Sequence, residues 1–174
     1  LVSSAQEVDA AIGRMAGHIE KVYRERYPLV LVVMGGGVVF AGRLLPKLRM
    51  PLDFDYIHVS RYGAQTRGGP VRWHVEPGES VRGREVLVLD DILDGGQTMA
   101  AVRDRVLKLD ARSFACAVLV DKDLKREKPI AADFVGLTIP EIAETLGISP
   151  RSTDRHWHFA RAWLKGGIRG PSCQ

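Results

Sequence analysis

Residues 86 to 99 read VLVLDDILDGGQTM, and no other stretch restricts the fold of this chain as tightly. Four apolar residues in a row, closed by acids and then by paired glycines, have the pattern of a strand buried on both faces. The strand is expected to stop at Asp90-Asp91. The chain then turns through Asp94, Gly95, Gly96, Gln97 and Thr98 into a helix starting near Thr98 or Met99. Paired glycines at a helix N-terminus let backbone N–H groups converge on an anion, and Thr98 adds a hydroxyl donor. The turn is not a Walker A loop, because it has no Gly-Lys-[Ser/Thr] ending and no lysine. Taken alone, DGGQT also fits a plain loop with a capped helix. The three carboxylates Asp90, Asp91 and Asp94 separate these readings, since a site for phosphate alone should avoid negative charge. Two adjacent acids at a strand end can accept hydrogen bonds from vicinal hydroxyls, or help hold Mg²⁺ whose other ligands are substrate oxygens.

The rest of the chain supplies the frame for that turn. Residues 5 to 27 place Val8, Ile12, Met15, Ile19 and Val22 at helical spacing and predict an amphipathic helix ending before Pro28. PLVLVVMGGG reads as a second buried strand followed by a tight turn, and VVFAGRLLPKL resumes helical spacing. DFDYIHVSRY predicts another strand. AQTRGGPVRWHVEPGESVRG, rich in glycine and turn signals, predicts a loop with a hairpin arm. SFACAVLVDK and ADFVGLTI complete the strands. Strands alternating with helices, apolar along their whole length, predict an α/β fold with a mostly parallel sheet and sites at the C-terminal ends of its strands.

Composition narrows the class. At 174 residues the chain suits one domain with little beyond a small appendage. Its formal charge is +4, from 25 basic against 21 acidic residues, which leaves an anionic ligand easy to accommodate. Two cysteines, Cys116 in an apolar run and Cys173 near the end, form neither a disulfide framework nor a metal-ligand pattern, which predicts a reducing, cytoplasmic setting. No segment is long and apolar enough to span a bilayer, so no membrane partner is expected, and no charged-then-apolar leader opens the chain. Leu1 stands where an initiator methionine would, so a few residues are expected to precede it.

The stretch from Val86 to Thr98 resembles the phosphoribosyl pyrophosphate (PRPP) signature of the type I phosphoribosyltransferases: apolar residues, two acids, variable positions, then Gly and Thr. The resemblance runs from about Val30 to Pro140 and is most similar to the hypoxanthine-guanine branch. It implies a type I phosphoribosyltransferase fold, with a mostly parallel central sheet flanked by helices and a helical C-terminal appendage. It implies that Asp90, Asp91, Asp94, Gly95, Gly96, Gln97 and Thr98 bind PRPP, the amides of Asp94 to Thr98 taking its phosphate. Asp90 and Asp91 would face the ribose hydroxyls and their Mg²⁺, and Asp94 would be the catalytic acid/base near purine N7. LVLVVMGGGVVFAGRLL is similar to the pyrophosphate loop, implying that Met34, Gly35 and Gly36 bracket an unusual peptide bond whose amides touch pyrophosphate. The position after Met34, often lysine in the family, is Gly35, so one cation beside the leaving group is missing. HVSRYGAQTRGG resembles the flexible catalytic loop, with Ser60 and Tyr62 closing over PRPP. LVDKDLKRE resembles the segment whose lysine, here Lys122, reads the six-position oxygen of an oxopurine, with Arg126 near the pyrophosphate. Without the resemblance, that segment reads as a solvated charge run. The expected reaction joins PRPP to hypoxanthine or guanine in purine salvage, in a homodimer or homotetramer.

Past ADFVGLTIP the likeness breaks. EIAETLGISPRSTDRHWHFARAWLKGGIRGPSCQ lacks the family's purine-stacking aromatic and its late aspartate, and resembles instead the helix-turn-helix of extracytoplasmic-function sigma factors. The chain therefore divides into a phosphoribosyltransferase core, residues 1–140, and an atypical helical tail, 141–174. Arg151, Arg155, Arg161, Lys165 and Arg169 suit phosphate contacts, so any nucleic acid would bind only through this tail. Trp157, Phe159 and Trp163 fit hydrophobic packing equally well. Other readings remain open: a PRPP- or nucleotide-binding regulator with a DNA-binding tail, a catalytically impaired transferase, or an ending that replaces the native one.

Overall fold

The computed structural model describes residues 5–61, 71–122 and 127–138. The run Leu29–Val33 forms β1, buried at every position, as continuous apolarity requires of a strand covered on both faces. It is preceded by α1 (Ala5–Tyr23) and followed by α2 (Gly37–Leu44). Next come β2 (Asp53–Arg61), β3 (Val71–Val75), β4 (Glu85–Leu93), α3 (Gln97–Lys108), β5 (Ser113–Asp121) and β6 (Phe134–Thr138). The sheet order is β3-β2-β1-β4-β5-β6. All pairings are parallel except β2 with β3, so the mostly parallel α/β sheet expected from the sequence is the one observed. The tail 141–174 lies outside the described residues.

Side-chain alternation along the strands makes two apolar layers. On one face, Ile12, Met15 and Ile19 of α1 and Phe40 of α2 pack with Val30, Val32, Leu87 and Leu89. On the other, Met99, Val102 and Val106 of α3 pack with Leu31, Val86, Val88, Cys116 and Val118. Fully burying one such aliphatic side chain contributes about 1.5–3 kcal/mol, so these interleaved sets fix the register of the central strands.

Two boundaries differ from the sequence reading. The first helix ends at Tyr23, not just before Pro28. Tyr27 takes a positive φ of 46°, and a residue before proline is kept out of the helical region by the ring behind it. β4 does not stop at Asp90-Asp91 but runs on to Leu93. Its neighbour β5 continues alongside, pairing Val120 with Ile92 and Asp121 with Leu93.

Burial also shapes two ionisations. It pushes the Cys116 thiol up from 9.0 to about 12 and, with the Asp133 carboxylate adding repulsion, the Tyr23 phenol up from 10.0 to about 12. Both groups stay neutral in the folded chain where the unfolded chain would already ionise. The stability they support is therefore complete below pH 9 and is lost as pH rises towards about 12. Urea unfolding across this range should show the decline, and Cys116→Ala should move its onset towards pH 10, where Tyr23 begins to count.

Candidate active site

The sheet order reverses its sense of progression between β1 and β4: the chain builds outward through β2 and β3, then returns to lay β4, β5 and β6 on the other side. Connections leave two neighbouring strand ends in opposite directions at such a switch point, and a crevice results. Here it is a cavity of about 430 Å³. Met34, Gly35 and Gly36 line it from the turn after β1, His58 and Ser60 from β2, Asp90 from β4, and Asp94, Gly95, Gly96 and Thr98 from the turn into α3. Nine expected positions thus meet in one place. Asp91, Gln97 and Lys122 are not among the lining residues, and Tyr62 and Arg126 lie outside the described residues.

Glycine is required at the heart of the DGG turn. Gly96 caps α3 in the left-handed conformation, φ 78°. A Cβ there would also sit 3.3 Å from Pro129 Cδ and 3.4 Å from Ile130 Cγ2. The helix starts at Gln97, one residue before the expected Thr98 or Met99. Its first-turn N–H groups have no partners within the helix, and the turn that leads into it faces the cavity.

The two adjacent acids have different surroundings. In a strand, successive side chains point to opposite faces, and β4 continues through both. Asp90 lines the cavity, and its Oδ1 accepts a hydrogen bond from the Asp91 N–H at 2.8 Å. Asp91 is buried beneath the turn after β1, where a Cβ on Gly36 would lie 2.0 Å from its Oδ2. Asp90 thus lines the cavity directly, while Asp91 stands against the turn after β1 that forms another of its walls. Around Met34–Gly36, where the resemblance implies an unusual peptide bond, the described peptide bonds are trans. What departs from ordinary geometry is Gly35, at φ 105°.

Lys122 follows β5, and its N–H donates to the Leu93 carbonyl at 3.1 Å. It is 4% exposed, which overturns the solvated-charge-run reading at this position. A buried ammonium needs an opposite charge, and its Nζ lies 3.8 Å from Asp94 Oδ1. Three residues contribute here that the sequence reading did not single out. Lys128 Nζ donates to the Leu93 carbonyl at 3.1 Å and pairs with the Asp121 carboxylate, fastening residues 128–130 over Gly96. His58 and His74 stack with ring centroids 4.4 Å apart, and His74 Nε2 lies 2.8 Å from Ser60 Oγ. The period-2 spacing of His58 and Ser60 could have flagged their shared face; nothing in the sequence marks Lys128.

For a cation, Asp90 and Asp94 offer hard oxygen ligands. Among the described residues no group of three or more His, Cys, Asp or Glu side chains could cage a metal. The site therefore suits an ion that takes one or two carboxylates and completes its shell with substrate oxygens, as Mg²⁺ does.

Comparison with known proteins points the same way. A phosphoribosyl transferase domain model matches residues 2–150. The chain is 30% identical over 139 residues to the hypoxanthine-guanine phosphoribosyltransferase of Bacillus subtilis, covering 79% of this chain and 77% of that protein. It is 30% identical over 154 residues to the hypoxanthine phosphoribosyltransferase of Salmonella typhimurium, covering 86% of each. A crystal structure of a Bacillus anthracis hypoxanthine-guanine phosphoribosyltransferase, with a HEPES molecule in its active site, superimposes with a TM-score of 0.74 at 28% identity, covering 80% of this chain and 83% of that one.

Proposed function

Because the chain belongs to the phosphoribosyl transferase family, we propose that it transfers the phosphoribosyl group of PRPP to hypoxanthine or guanine, giving IMP or GMP and pyrophosphate. The observation that carries the reading is the meeting, in one cavity at the switch point, of the DGG turn with Asp94, the Met34–Gly36 turn and Asp90. The amides of Asp94 to Thr98 take the 5′-phosphate. The turn after β1 faces the pyrophosphate, and Asp90 faces the ribose hydroxyls. Asp90, with Asp94, would hold Mg²⁺, which when bound would supply neutralising charge to the pyrophosphate leaving group.

As pyrophosphate departs, positive charge develops at the anomeric carbon. To Asp94, which lines the cavity, we assign the proton at purine N7 and an anionic carboxylate towards that charge. To Lys122, held beside Asp94 at the end of β5, we assign the contact with the six-position oxygen that selects oxopurines over adenine. We assign this chemistry to residues 1–140 and none of it to 141–174. We also infer assembly into two or four copies, for which Phe54, 68% exposed, and Tyr56 on β2 offer apolar surface. No helix among the described residues is long and apolar enough to cross a membrane.

Incubation with PRPP, Mg²⁺ and, separately, hypoxanthine, guanine, xanthine or adenine, with chromatographic detection of nucleotide, tests the proposal. The expected result is product from hypoxanthine or guanine and none from adenine. A folded chain that yields no nucleotide from any base would overturn it.

A further inference from the structure

We propose that His58 is the side chain that binds the pyrophosphate end of the substrate. The inference rests on the transferase reading and deepens it. A substrate carrying phosphate at both ends must enter a cavity whose described lining includes two carboxylates, Asp90 and Asp94, and one side chain able to carry positive charge, His58. A polyanion beside two acids needs compensating donors. At one end the DGG turn and the first turn of α3 provide amides. At the other, Met34, Gly35 and Gly36 contribute no polar side chain. Lys122 does not line the cavity, and its charge is directed at Asp94.

The sheet places His58 at that second end. Met34 N–H donates to the carbonyl of Ile57 at 2.7 Å, so the residue after Ile57 stands beside the glycine turn. The ring is also built into position. The β2–β3 register pairs His58 with Val75 but Val59 with Trp73, so His74 is the extra residue of a β-bulge and shares with Val75 the place opposite His58. Bulges of this kind re-aim a side chain. Here the His74 ring stacks on that of His58, tilted 27°, and its Nε2 is engaged with Ser60 Oγ at 2.8 Å. His74 thereby fixes the plane of the His58 ring, and the His58 side chain lines the cavity.

The test uses the full chain, as wild type, His58→Gln and His58→Arg. Each is titrated calorimetrically in Mg²⁺ with inorganic pyrophosphate, PRPP and IMP, the last of which has no pyrophosphate. His58→Gln should weaken pyrophosphate and PRPP binding about tenfold, the scale of one charge-assisted hydrogen bond. It should leave IMP affinity unchanged, and His58→Arg should restore pyrophosphate binding. Equal pyrophosphate affinity in wild type and His58→Gln overturns the assignment. So does a parallel loss of IMP affinity, or an arginine variant that binds pyrophosphate no better than the glutamine variant. A wild-type chain that binds none of the three overturns the transferase reading itself.

Discussion

Asp94→Asn should lower kcat for nucleotide formation by about 10²–10⁴-fold, the range contributed by a positioned acid/base group, while PRPP affinity changes little. The amide keeps the size of the side chain and its fit in the turn, so backbone amides still meet the phosphate. What it loses is the ability to accept a proton and to face a developing positive charge as an anion. The Lys122 ammonium 3.8 Å away makes a competing account concrete: Asp94 could serve only to neutralise a buried lysine. In that case the substitution would leave Lys122 without its carboxylate, lower stability, weaken base binding and spare kcat. Steady-state kinetics read beside calorimetric PRPP titration separate the two, and an unchanged kcat in a folded, PRPP-binding variant would remove Asp94 from the chemistry.

The fold was legible where sequence pattern and tertiary environment agree. LVLVV and VLVL are apolar at every position, and a strand covered by helices on both faces has that composition for a physical reason. The paired glycines announced a turn whose left-handed Gly96 no other residue would occupy comfortably. Legibility failed where a neighbour decides the outcome. Nothing in Asp90-Asp91 says that the strand continues, because the reason is the continued ladder to Val120 and Asp121 on β5. Once it continues, alternation separates the two acids, a consequence the sequence could have supplied only with that boundary known. Lys122 is chemically the same as the lysines around it, and its burial comes from the end of β5 abutting Leu93. The His58–His74 stack follows from a register shift in a hairpin whose connecting residues give no sign of it.

Gly36→Ala should destabilise the chain by about 1–3 kcal/mol, the cost of forcing an extra methyl into a packed site. For a chain of this length that corresponds to a fall in Tm of about 2–12 °C. The added Cβ would lie 2.0 Å from Asp91 Oδ2 and 2.2 Å from its Cγ. Neither partner has room: Asp91 is buried and lies in β4 between Asp90 and Ile92, both laddered to β5, while Gly36 immediately precedes α2. The methyl therefore displaces the turn after β1, and pyrophosphate binding should weaken more than IMP binding because only pyrophosphate meets that wall. The cause can be isolated by shortening the residue it strikes. Asp91→Ser in the Gly36→Ala background should recover part of the lost Tm, so that the two substitutions cost less together than their separate effects predict. A double variant as unstable as the simple sum would show that Asp91 does not support this turn, and that its burial serves the sheet alone.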